Sequence, residues 1–149
     1  MRARTVAREA ALKALYQLDL RSAFPAAEIE ELLAREASTS DARSYARECV
    51  RGTREHVEEI DKEISAVAEN WDLARMAAVD RNVLRLAIYE MCFRTDIPPA
   101  VAINEAVTIA KRYSTKDSGA FVNGILDQVK NRRLGATPRP ARPDPAEKP

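Results

Sequence analysis

Two separated groups of residues could grip a polyanion. Near the start, Arg2, Arg4 and Arg8 precede or open an amphipathic stretch, and Glu9 is the only acid among them before Asp19. Positive charge at a helix start opposes the helix macrodipole. A helix shaped for stability alone would carry Asp or Glu there, so these cations suit an external anion, and the free N–H groups of the helix start would add to its site. A frayed, solvated terminus is the plainer reading. Near the end, Lys111, Arg112, Tyr113, Lys116, Asp117 and Phe121 form the second group. An exposed Tyr113 or Phe121 would stack an unpaired base, and Asp117 would accept from a base amino group. Equally, Asp117 fits a helix cap and Phe121 the first core residue of that helix. Together the groups offer what single-stranded RNA binding needs: charge to neutralise phosphates and a ring on which bases stack.

Other chemistry is poorly provided for. Asn104-Glu105 has no nearby base or metal cluster and reads as capping plus a surface carboxylate. His56, the only histidine, reads as a helix-face residue. Glu58-Glu59 and Asp61/Glu63 point around a helix rather than converging. No phosphate-binding glycine loop is present, and nothing assembles a nucleophile, a base and oxyanion donors. We therefore expect no enzyme and no cofactor. Cys49 and Cys92 form no C-x-x-C pair and read as small buried thiols of a reducing cytosol.

The elements that must position these residues read as helical. The 149 residues are 46% hydrophobic and 32% charged with net charge +1, so any pull on nucleic acid must be local. No N-terminal apolar segment reads as a secretory signal, and no apolar run nears the roughly 18 residues that span a bilayer. Apolar residues recur at helical spacing and period-2 alternation is almost absent. The fold class is all-α, with about six to seven helices. Helix one is expected from Thr5, as N-cap, to Arg21, and the second from Pro25 to Ala37. A long third runs from Asp41 to Asn70, weakened or bent at Gly52-Thr53. Trp71 to Met76 is a junction. Asp80 caps a helix to Arg94 that is apolar around much of its circumference, through Val83, Leu84, Leu86, Ala87, Ile88 and Tyr89. Such a helix is central, or lends one face to a partner. Further helices run from Ala102 to Tyr113 and onward from Asp117. The expected organisation is 1–71, an N-terminal helical subdomain with the basic arm, then 72–134, a C-terminal helical subdomain, then a disordered proline-rich tail, 135–149.

Four strings in order give a resemblance. They are Ala7-Arg8-Glu9 through Tyr16, Val83-Leu84-Arg85-Leu86-Ala87-Ile88-Tyr89-Glu90, Val101-Ala102-Ile103-Asn104-Glu105-Ala106, and Phe121-Val122-Asn123-Gly124-Ile125-Leu126-Asp127. Over about residues 4 to 130 the chain resembles the bacterial transcription antitermination family NusB. The resemblance implies two three-helix subdomains and no catalysis. It implies binding of single-stranded boxA RNA jointly with NusE, a ribosomal protein, within an RNA polymerase complex that includes NusA and NusG, all in the cytoplasm. Carried onto this chain, the RNA-binding residues are Arg2, Arg4, Arg8, Tyr113, Lys116, Asp117 and Phe121, and the partner surface falls on Asp80, Arg81, Leu84 and Arg85. The arm departs from the pattern at Arg4-Thr5, where relatives often have adjacent arginines, and Ala120 stands where a basic residue can occur. Two alternatives stay open: a protein-interaction scaffold with no RNA contact, and a domain of the kind fused to ribosomal RNA cytosine methyltransferases. Spacing also leaves a homodimer open.

Overall fold

The structure, a computed structural model, describes residues 2–21, 23–68 and 72–135. Among these it contains seven α-helices, one short 3-10 turn and no strand. They are α1 (Ala3–Leu20), α2 (Ala26–Glu36), α3 (Ser40–Glu55), α4 (Val57–Val67), α5 (Ala78–Phe93), α6 (Pro99–Tyr113) and α7 (Ser118–Leu134). The all-α expectation holds. Trp71 and the tail beyond Gly135 lie outside the described residues.

Several helix ends differ from those expected. Helix α1 begins at Ala3 with Arg2 in the N-cap position and no side-chain cap. Thr5 is inside the first turn, and its hydroxyl donates to Glu105 at 2.9 Å instead of capping. The expected long third helix is two. The break is at His56, not at Gly52-Thr53, and the chain resumes at once as α4. Gly52 stays helical, and the Tyr89 ring lies against it, where any Cβ would collide with Cε1, Cζ and Oη. Thr39, outside the expected start, caps α3 by accepting from the Ala42 amide at 3.1 Å. Asp80 does not cap α5, which begins at Ala78, and Asp117 occupies the N-cap of α7 without a side-chain cap. Helix α6 starts at Pro99 rather than Ala102, since proline suits a first turn. Helix α7 ends at Gly135, whose φ of 92° suits a residue without a Cβ.

Helix α1 packs on α2, α3 and α5, while α5, α6 and α7 pack on one another. One continuous core runs through both groups, from Ala7, Leu15 and Leu33 to Leu84, Ile88, Val122 and Val129. Helix α5 is its centre. Of its residues Asn82, Val83, Leu84 and Leu86 through Met91 are all buried. The buried positions of α1 are rich in alanine (Ala7, Ala10, Ala11, Ala14), which lets the neighbouring helices pack close to it.

Candidate nucleic-acid interface

Helix α6 lies alongside α1 in the same direction, and side chains join them. Glu105 accepts from Thr5 and, at 3.2 Å, from Arg8. One helical span later, Glu9 accepts from Arg112 Nη1 at 2.7 Å and from the Tyr113 hydroxyl at 2.8 Å. The Lys13 ammonium, held by Glu36 at 2.7 Å, stands 5.4 Å from the centre of the Tyr113 ring. A row of functional groups therefore follows the α1–α6 seam. It starts at Arg2 and Arg4, passes Tyr113, and reaches the α6–α7 turn with Lys116, Asp117 and then Phe121.

The arm and the ring do not touch. Arg4 opens α1, whereas Phe121 shares a cleft with Arg75, Met76, Asp80, Asp117 and Ser118. That cleft is level with the other end of α1, where Asp19 holds Arg81 at 2.7 Å. At 1.5 Å per residue, Arg4 and Asp19 are about 22 Å apart along the helix. The nearest ring to the arm is instead Tyr45 of α3, with the Arg4 guanidinium 4.0 Å from its centre. Phe121 is part-exposed, Lys116 and Asp117 exposed, and Tyr113 part-buried.

Arg8 is not a surface cation. Its side chain is 5% exposed, and Nε donates to both oxygens of Glu90, itself 1% exposed, at 2.9 Å. The Tyr45 hydroxyl donates to the same carboxylate. Burial alone would lower the Arg8 pKa, but Glu90, with Tyr45 and Glu105, raises it above the ordinary arginine value. The reason for its burial is positional. One helical turn after Arg4, Arg8 faces the α5 carboxylate, so it ties α1, α3, α5 and α6 together instead of meeting phosphate. Arg2 and Arg4 remain exposed and form no ion pair among the described residues.

The residues expected to meet a partner are mostly internal. Leu84 is fully buried. Arg81 donates to Asp19 at 2.8 Å and to the Leu73 and Met76 carbonyls at 3.1 Å, pinning the turn before α5. Arg85 makes two bonds to Asp61, at 2.8 and 2.9 Å. A central helix spends its polar groups on its neighbours, and Asp80, Arg81 and Arg85 are each only part-exposed. Asp80 accepts from Ser118 at 3.2 Å, while its Oδ1 is buried without a hydrogen-bond partner among the described residues. It shares the Phe121 cleft, of about 380 Å³. The structure thus joins two groups that the sequence kept apart.

Residues 5–131 match the NusB family. The chain belongs to the NusB family. It is 48% identical over 131 residues to the transcription antitermination protein NusB of Geobacter sulfurreducens, covering 87% of this chain and 94% of that one. Among solved structures it is similar to T. maritima NusB, with TM-score 0.78, 43% identity and coverage of 89% and 94%. It is also similar to a chain in the crystal structure of antitermination factors NusB and NusE in complex with dsRNA, with TM-score 0.78, 33% identity and coverage of 89% and 98%. These NusB relatives span almost the whole described chain, so the α1–α6 seam and the Phe121 cleft both belong to the shared region.

The sequence missed Glu90 and Tyr45 as site-building residues, and dismissed Glu105 as a surface carboxylate. Their partners lie 82, 45 and 97 residues away. No local spacing announces such contacts. Among the described residues no helix is long and apolar enough to cross a membrane.

Proposed function

We propose that this chain is an antitermination factor that binds boxA-type single-stranded RNA jointly with a NusE-like ribosomal protein, in the cytoplasm. It would act within an RNA polymerase complex containing NusA- and NusG-like factors. RNA lies along the seam from Arg2 and Arg4, past Tyr113, to Lys116, Asp117 and Phe121. The observation that carries this reading is the row itself. Arg2 and Arg4 at one end of this row and Lys116 at the other form no ion pair among the described residues, with one aromatic ring midway and another at its far end. Arg2, Arg4 and Lys116 hold phosphates, Phe121 stacks a base, and Asp117 accepts from a base edge. Arg8 acts from beneath, as the strut that fixes α1. The partner protein meets the outer rim at Asp80. Residues 1–71 supply the arm and 72–134 the ring and the rim, as two halves of one core.

NusE and dsRNA accompany NusB in the related structure, which supports an RNA and protein partnership. A scaffold without RNA contact is favoured by one observation. Two of the seam's cations, Arg8 and Arg112, are each bonded to glutamate, which cuts the charge offered to phosphate. Titration of labelled boxA-type, scrambled and duplex RNA, across salt and with or without the ribosomal partner, separates the readings. Single-strand binding through Z phosphates gives a log–log salt slope of about −0.7Z. We expect a salt-sensitive preference for the single strand that Phe121→Ala weakens by about 1–3 kcal/mol. RNA retention by the partner complex that is unchanged in Arg2→Ala/Arg4→Ala would favour the scaffold.

A further inference from the structure

A second cleft, of about 460 Å³, opens on the other side of the arm, between the first turn of α1 and the first half of α3. Arg4 lines both this cleft and the seam with α6. Asp41, Ser44, Tyr45 and Glu48 stand at i, i+3, i+4 and i+7 of α3, so they share one face. Arg94, just after α5, closes the cleft. Its guanidinium is 5.1 Å from the centre of the Tyr45 ring, on which Arg4 also rests.

The polarity of this cleft is mixed. Arg94 is held by Glu48 and Asp96, both at 2.9 Å. Among the described residues Arg4 forms no ion pair, although its charge acts on Asp96, and Asp41 and Ser44 have no side-chain hydrogen-bond partner. A bare anion would meet Arg4 but be repelled by Asp41 and Glu48. A ribonucleotide carries both complements. Its phosphate suits Arg4, whose in-plane N–H groups stay free while its face lies on Tyr45. Its 2′-hydroxyl is a donor for the acceptors on α3. Glu90, by taking the Tyr45 hydroxyl, fixes the ring that presents Arg4.

We propose that the α1–α3 cleft takes one ribonucleotide of the bound strand, with its phosphate on Arg4 and its 2′-hydroxyl on Ser44 and Glu48. This rests on the RNA-binding reading above and extends the strand's path around the start of α1. The site is ribose-selective, whereas stacking on Phe121 tolerates either sugar.

The test is a deoxy scan. A labelled boxA-type RNA carries a single 2′-deoxy substitution at each position in turn and is titrated with the full chain, Ser44→Ala, Ser44→Ala/Glu48→Ala and Phe121→Ala. One position should weaken binding to the unmodified chain by about fivefold, the worth of one hydrogen bond. That penalty should vanish in the double variant, shrink in Ser44→Ala (an exposed position that folding tolerates) and persist in Phe121→Ala. An equal penalty in all variants, or no penalised position, overturns the proposal. If Arg4→Ala and Phe121→Ala both bind every RNA as the unmodified chain does, it is the RNA-binding reading that fails.

Discussion

Replacing Glu90 by glutamine probes the strut beneath the arm. The carboxylate is 1% exposed and accepts from Arg8 and the Tyr45 hydroxyl. Glutamine has nearly the same shape and can still accept one hydrogen bond but carries no charge, leaving Arg8, 5% exposed, with the 3.2 Å contact to Glu105 as its remaining ion pair among the described residues. Removing one partner of a buried ion pair costs about 3–5 kcal/mol, because the remaining charge is desolvated and uncompensated. The contact to Glu105, which is 19% exposed, places the cost near the lower end, about 3 kcal/mol. For a chain of this size that lowers Tm by about 6–12 °C. Urea denaturation followed by circular dichroism measures it directly, with the midpoint shifted and the m-value unchanged. A double-mutant cycle with Arg8→Met should return a coupling of at least 1 kcal/mol. A loss below about 1 kcal/mol, or no coupling, would show that water reaches the pair and that Arg8 is available to phosphate after all.

Exposed cations should behave oppositely. Arg4→Ala should leave Tm within about 1 °C but make the salt slope of RNA binding shallower by about 0.7, as measured by anisotropy, and Arg2→Ala should add a similar change. Gly52→Ala should destabilise by about 2 kcal/mol in thermal melts. The gain of up to about 1 kcal/mol in helix propensity is outweighed by overpacking against the buried Tyr89 ring. Burial raises the Asp19 pKa, but hydrogen bonds from Arg81 and Asn82 and the charge of Arg85 bring it below the ordinary value. A carboxylate depressed in the folded state stabilises above its unfolded pKa, near 4, and loses that contribution as pH falls through the folded value. Asp19→Asn should therefore cost stability at pH 7 and progressively less below pH 4, and a pH-independent difference would refute the linkage.

The helical pattern was legible because most helices write their own buried face at a period near 3.6, as α3 does at Ala42, Tyr45, Ala46, Cys49 and Val50. The break at His56 was not. Gly52 suggested a bend by its intrinsic weakness, yet it lies inside α3, where its missing Cβ makes room for a ring 37 positions later. Thr5 and Asp80 had the right chemistry to cap, but partners on other helices claimed them. The same applies to function. Residue types named the chemistry of the arm and of the α7 start, whereas burial took Arg8 and Leu84 inside and ion pairs with Asp19 and Asp61 tied down Arg81 and Arg85.

By itself the sequence determined the helices, the family and the kinds of group offered to RNA, since these follow from local periodicity and ordered strings. Only the tertiary structure decided which cations reach solvent and which rings they face. Both depend on helices packing across spans of 40 to 100 residues. A guanidinium one turn further along α1 meets a carboxylate of α5, while its neighbour meets water.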